Sequence, residues 1–142
     1  VIWTVPPSPE ELSLAKKTVN PKTIWLVGCH QPDDTFEEII LKLTGLIKYV
    51  LTHERGKTSY IKLAAATAQR LQTVKYGISW LAAKGMIEAE AGEGGEVILK
   101  KGRSQSNSIL AARMQANIEF LLAETAAYRS YFRSAGKETF FS

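Results

Sequence analysis

The chain contains one cysteine, Cys29, among its 142 residues. It therefore cannot form an intrachain disulfide or supply a four-cysteine metal site, and a reducing, cytoplasmic setting is expected. No apolar run reaches the roughly 18–20 residues that a membrane-spanning helix needs, and no secretory signal pattern opens the chain. These absences predict a protein without a membrane partner.

Catalytic motifs are also absent from the sequence. There is no glycine-rich phosphate loop of the nucleotide-binding types and no His-Glu-x-x-His pattern. Cys29 and His30 follow a predicted strand, where α/β sites often form, but such an adjacent pair is usually part of a loop. Asp33-Asp34-Thr35 is interpreted as the cap of the next helix, with the two acids as partners of the helix dipole. We therefore expect no catalysis, and no metal or cofactor, in this chain itself.

Acidic residues are missing from two long stretches. The net charge is +4, and residues 55–87 and 97–118 contain no Asp or Glu. The basic residues of these stretches are Arg55, Lys57, Lys62, Arg70, Lys75, Lys84, Lys100, Lys101, Arg103 and Arg113. Such runs form either solvated faces or surfaces that bind phosphates.

Residues 1–33 predict a short parallel β-α-β unit. Residues 1–5 and 23–27 are apolar and β-branched, as expected for strands. Between them, Ser8 can cap a helix that has Pro9 at its first position and that ends at Asn20. Two strands do not make a stable sheet. We therefore expect further strands from elsewhere and interpret the chain, which begins at Val1, as a piece of a longer protein.

Residues 34–103 predict a winged helix-turn-helix. Apolar spacing and capping residues indicate helices over residues 36–53, 60–66 and 70–84, a turn at residues 67–69, and two strands over residues 86–90 and 96–101 joined by a glycine-rich turn. A long helix over residues 107–134 is predicted in the C-terminal segment, residues 104–142. Its apolar stripe is Leu110, Met114, Ile118, Leu121, Tyr128 and Phe132. The predicted class is α+β: the β-α-β unit, the winged helix-turn-helix and the long helix.

The helix over residues 70–84 is the candidate recognition helix. Helical spacing places Leu71, Val74, Ile78 and Leu81 on a core face, and Gln69, Gln72, Thr73, Tyr76, Ser79, Trp80 and Ala83 opposite. Gln can pair with adenine, flanking Lys and Arg can neutralise phosphates, and exposed aromatic rings can stack on bases. Alternatively, Tyr76 and Trp80 pack against the last helix or another domain.

The wing carries four acids, Glu88, Glu90, Glu93 and Glu96, which would repel phosphates. Basic residues at the exit of the wing are therefore better candidates than its tip. The predicted nucleic-acid-binding residues are Arg70, Gln72, Thr73, Lys75, Tyr76, Trp80, Lys100, Lys101 and Arg103.

Four segments carry a family resemblance. They read IWTVPPSPEEL, NPKTIWLVG, LTGLIKYVL and LAAATAQRLQTVKYGISWLAAKGMI. In this order they resemble the C-terminal region of bacterial RecJ, the exonuclease specific for single-stranded DNA. The resemblance covers residues 1–101.

The resemblance implies an accessory role. In that family, catalytic domains with an Asp-His-His motif use manganese or magnesium to degrade single strands from the 5′ end. This chain has no Asp-His-His, so the metal and the catalytic residues are expected in other domains of the same parent chain. The expected function is to bind or position DNA, with single strands preferred. Ala68 and Gln69 replace the Gly and apolar residue common in the turn of duplex readers, which argues against sequence-specific duplex reading.

Two alternatives remain open. The chain could be a protein-interaction module that docks an acidic peptide of a repair partner, such as single-strand-binding protein. It could also be a winged-helix transcription regulator, for which the turn residues are unfavourable.

Overall fold

The computed structural model describes residues 5–25, 34–103, 105–136 and 138. Helices α1 to α5 span Pro9–Val19, Phe36–His53, Tyr60–Thr67, Leu71–Ala83 and Ser108–Ser134. Strands β1 to β3 span Lys57–Ser59, Ile87–Ala91 and Glu96–Lys101. The chain is therefore α+β, mainly helical, with a long C-terminal helix, and this coarse prediction is confirmed.

The three strands form one antiparallel sheet in the order β1-β3-β2. The β2–β3 hairpin lies where the alternating residues and the glycine-rich turn predict it. Strand β1 was not predicted, because three residues are too few to show a period. In its pairing with β3, Thr58 lies opposite Val97. The last residue of β1, Ser59, also caps α3, because its side chain accepts a hydrogen bond from the backbone N–H of Lys62.

The predicted parallel strands, residues 1–5 and 23–27, lie partly outside the described residues, as do Cys29, His30 and Asp33. The described parts of these segments, Val5 and residues 23–25, belong to no strand. Helix α1 between them begins at Pro9, as predicted, and ends at Asn20 in a left-handed conformation with φ 43°. None of its residues is buried, so α1 lies on the surface of the described chain.

One hydrophobic core joins α2, α3, α4, α5 and the hairpin. Its buried members are Ile39, Leu43, Ile47, Val50, Leu63, Val74, Ile78, Leu81, Ile87, Val97, Leu99, Ile118 and Leu122. Because Ile118 and Leu122 are among these residues, helix α5 shares its core with residues 34–103.

Helix α2 begins with a capping box. Thr35 and Glu38 form reciprocal hydrogen bonds, each side chain accepting from the backbone N–H of the other residue.

Helix α5 runs antiparallel along α4. At one end the backbone N–H of Asn107 donates to the carbonyl of Ala83 at 2.7 Å, and at the other end Arg70 pairs with Glu124. The predicted apolar stripe is wrong at Leu110, which is 39% exposed. The buried residues are Ala111, Ile118, Leu122, Thr125 and Arg129. An apolar pattern missed this face because it is made of small and polar residues as well as large apolar ones.

Candidate nucleic-acid interface

Helix α4 exposes only a narrow strip of its surface. Its exposed residues are Leu71, Gln72, Lys75 and Ser79. Val74, Gly77, Ile78 and Leu81 are buried, and α5 lies along another side of the helix. The candidate recognition helix is therefore packed on most of its circumference. Gln72 and Lys75 are three residues apart and share the exposed strip.

The predicted faces of the helix are wrong at four residues. Thr73, expected to be exposed, has 0% exposure, and Gln69 has 3%. Leu71, expected in the core, is 37% exposed. The prediction from helical spacing assumed that α4 has one buried face, whereas α5 covers a second side of this helix. Thr73 is thus withdrawn from solvent in this arrangement, and Ala83, also expected to be exposed, is buried.

The aromatic pair on α4 packs within the protein. Trp80 meets Phe36 of α2 edge-on, with ring centroids 5.3 Å apart and planes at 80°, a favourable aromatic geometry. Lys84 Nζ lies 5.7 Å from the centroid of the Trp80 ring. Tyr76 and Trp80 are both half-buried against the core. The structure therefore favours the packing interpretation of this pair over base stacking.

Two exposed lysines lie near the start of α3. Lys75 Nζ is 5.7 Å from the centroid of the Tyr60 ring, which places the lysine across the first residue of α3. Lys62 is exposed in the first turn of the same helix. Among the described residues, no carboxylate oxygen lies within 4.0 Å of either ammonium group. Both charges are thus available to an anion.

Two of the three cations at the exit of the hairpin have acidic partners. Lys100 pairs with Glu90 at 2.8 Å, and Arg103 pairs with Glu88 at 3.0 Å. Both pairs are largely exposed, so each contributes little to stability, but each offsets a charge predicted to bind phosphate. Lys101 is exposed and belongs to no such pair in the described chain.

Arg70 directly precedes α4. Its Nη1 donates to Glu124 Oε2 of α5 at 2.8 Å. Its Nε is buried and has no hydrogen-bond partner among the described residues. Arg70 thus combines a partner at one nitrogen with an unsatisfied donor at another.

A buried arginine organises the turn before α4, and sequence reasoning missed it. Arg129 of α5, 6% exposed, donates to the carbonyl of Val5 at 3.2 Å, to Asp34 Oδ2 at 3.0 Å and to the carbonyl of Ala68 at 2.6 Å. Asp34 also pairs with Lys42 at 2.7 Å and accepts from Gln69 Nε2. Within the predicted capping segment Asp33-Asp34-Thr35, Thr35 is the residue that caps α2, and Asp34 instead binds Arg129, Lys42 and Gln69. The sequence did contain one signal for the burial of Arg129: Leu122, Thr125 and Arg129 are spaced so that they lie on one face of a helix, and all three are buried.

An open apolar groove of about 480 Å³ separates α2 from the base of the hairpin. It is lined by Thr44, Ile47, Lys48, Leu51, Thr52, Leu81, Met86, Ile87 and Lys101. Two lysines and no acid contribute to this lining, so the groove suits an apolar ligand that carries negative charge.

No described helix is both long and apolar enough to cross a membrane. Within the same residues, no group of three or more His, Cys, Asp or Glu side chains is arranged to hold a metal ion.

Comparison with protein-family models, with curated proteins and with solved structures finds no match to this chain.

Proposed function

We propose that residues 34–103 form a winged helix-turn-helix that binds single-stranded DNA as a non-catalytic accessory domain of a larger, RecJ-like exonuclease. The order of elements supports this: helix, short strand, helix, turn, helix and hairpin, with the first strand paired to the hairpin. The RecJ-like segments are the reason for proposing a parent exonuclease. Its catalytic domains would hold the manganese or magnesium and would be the partners of residues 34–103.

The observation that carries the proposal is that two exposed lysines, Lys62 and Lys75, have no carboxylate partner among the described residues. They lie in a stretch, residues 55–87, that has no acidic residue, and Gln72 shares the exposed strip of α4. Each phosphate neutralised by such a lysine releases counterions, which makes binding depend on salt. The surface therefore has the charge to bind a nucleic-acid backbone.

Single strands fit this surface better than a duplex. A duplex reader must insert its recognition helix into a major groove about 12 Å wide, but α4 exposes only four residues. Thr73 is buried, and the hairpin carries Glu88, Glu90, Glu93 and Glu96, which repel a second phosphate backbone. The same features disfavour a transcription regulator.

The test is a salt-titrated anisotropy measurement with single-stranded, duplex and tailed oligonucleotides. We expect Lys62→Glu combined with Lys75→Glu to weaken single-strand binding at least about tenfold. The slope of log affinity against log salt should also shrink by about 1.4, at roughly 0.7 for each lost contact with a single strand.

Arg113→Glu is the matched control, because Arg113 is an exposed cation on α5 that the proposal does not use. A loss from the control as large as that from Lys62→Glu or Lys75→Glu alone, each of which changes the net charge by the same two units, would show that only net charge matters. Unchanged affinity in the double variant would contradict the proposal.

The apolar groove favours a second function, the docking of an acidic peptide from a repair partner such as single-strand-binding protein. Lys48 and Lys101 line this groove and could pair with the acidic side chains. Binding of an acidic peptide together with no affinity for oligonucleotides in the same titration would favour this function over the first.

A further inference from the structure

Arg70 is incompletely satisfied in the described structure. It is the residue before α4, adjacent to the exposed strip that begins at Leu71, and no side chain caps this helix end. Its ion pair with Glu124 uses Nη1, while Nε–H is buried and has no acceptor within the described part of the chain. An arginine fork can donate two parallel hydrogen bonds to one anion, so the pair with Glu124 leaves part of its capacity unused.

We infer that Arg70 is a phosphate-binding residue and that Glu124 occupies it in the free protein, so that Glu124 competes with the nucleic-acid backbone. This inference rests on the proposed function. The Glu124 carboxylate takes the place that a phosphate oxygen takes in the complex. On binding, Arg70 exchanges the carboxylate for the phosphate and can donate from Nη1 and Nη2, the two nitrogens at the end of the guanidinium fork.

The exposure of the pair makes this exchange feasible. The side chains of Arg70 and Glu124 are 21% and 44% exposed. A partly exposed ion pair of this kind changes an equilibrium constant by no more than about fivefold. A backbone phosphate carries one negative charge, as a carboxylate does, but a strand anchored at Lys62 and Lys75 would present that phosphate nearby at high effective concentration.

A second acid, Glu10 of α1, also interacts electrostatically with Arg70. Ser8 contacts the carboxylate of Glu10 at the start of α1. The pKa of Glu10 is lowered mainly by that hydrogen bond, and the positive charge of Arg70 is a smaller cause. The acids around Arg70 thus come from α1 and α5, while the proposed phosphate contacts come from α3 and α4. Acids from both neighbouring helices therefore lower the charge that Arg70 presents before DNA arrives.

The test uses the full chain, a fluorescent single-stranded oligonucleotide and a salt titration. Glu124→Gln removes the competing charge and preserves the shape of the side chain. We expect single-strand affinity to rise about two- to fivefold and the salt slope to grow by about 0.7, which is one added phosphate contact. In the Arg70→Gln background, Glu124→Gln should have no effect.

Glu119→Gln is the control, since Glu119 lies one turn earlier on α5 and bonds to Gln115 rather than to Arg70. Equal affinities for Glu124→Gln and Glu119→Gln would overturn the inference and leave the role of Lys62 and Lys75 intact. A gain that persists without Arg70 would also overturn it, because it would reflect net charge. Absence of oligonucleotide binding in every variant would overturn the proposed function and this inference together. Arg70→Met, which also removes the charge and keeps an unbranched side chain, serves if Arg70→Gln does not fold.

Discussion

At the scale of single residues, the unusual feature is the buried guanidinium of Arg129. It is stabilised because three acceptors surround it: the carboxylate of Asp34 and the carbonyls of Val5 and Ala68. Ala68 has a φ of 52°, a left-handed conformation that costs a residue with a side chain about 1–2 kcal/mol. The hydrogen bond from Arg129 to the Ala68 carbonyl helps to hold this turn without glycine.

We expect Arg129→Met to lower the free energy of unfolding by about 1–3 kcal/mol, because the carbonyls of Val5 and Ala68 would lose their donor while Asp34 would keep only Lys42 as a cationic partner. Urea unfolding followed by circular dichroism measures the change. Arg113→Met removes an exposed arginine from the same helix and should change stability by less than about 0.5 kcal/mol. Similar losses in the two variants would show that the network contributes little.

At the scale of elements, the close crossing of α2 and α4 depends on a glycine. A Cβ built on Gly77 would overlap Cδ1 of Leu43, whereas a Cβ on Gly45 of α2 would meet no atom within 4 Å. Both glycines lie inside helices and carry the same conformational cost. Only Gly77 is required by packing, since it lets the candidate recognition helix lie directly on the core.

Gly77→Ala should therefore destabilise the protein by about 1–3 kcal/mol through overpacking. Gly45→Ala should stabilise it by about 0.5–1 kcal/mol, because it removes glycine from an open helix position. Chemical denaturation of the two variants beside the parent chain gives both values. If Gly77→Ala is neutral or stabilising, Leu43 moves aside and the crossing does not depend on the glycine.

At the scale of the whole molecule, α5 joins the ends of the described chain to its centre. Its Arg129 reaches Val5 near one end and Ala68 in the middle. Its Tyr128 interacts electrostatically with the acidic residues Glu10 and Glu11 of α1. Burial is the main cause that raises the pKa of the Tyr128 phenol, followed by the negative charges of Glu10 and Glu11. Helix α1, which buries none of its own residues, is thus electrostatically linked to α5.

This link predicts a pH dependence above neutrality. Because the pKa of Tyr128 is higher in the folded chain than its ordinary value near 10.0, the unfolded phenol ionises first. Its contribution to stability is complete below that value and is lost as the pH rises through the folded pKa. Between pH 9 and 11, the parent chain should lose more free energy of unfolding than Tyr128→Phe. Equal losses would show that Tyr128 ionises alike in both states.

Local signals explain how far the sequence predicted this fold. The boundaries of α2, α4 and the hairpin agree with the predictions to within one residue. Ser59 and Asn107 each accept a hydrogen bond from a backbone N–H in the first turn of their helices. Each boundary depends on residues a few positions apart. The candidate site was predicted in part: Gln72 and Lys75 are exposed, but Thr73 is buried, because that position depends on α5.

The sequence by itself therefore determined the helices, the hairpin and the acid-free stretch that makes residues 55–87 basic, since these depend on composition and short spacing. The tertiary structure decided which strip of α4 reaches solvent, how α5 is turned, and which cations have acidic partners. The bonds of Arg129 show the reason, because its acceptors lie 61, 95 and 124 residues away along the chain. Satisfying a buried charge requires such distant groups, and no local pattern specifies them.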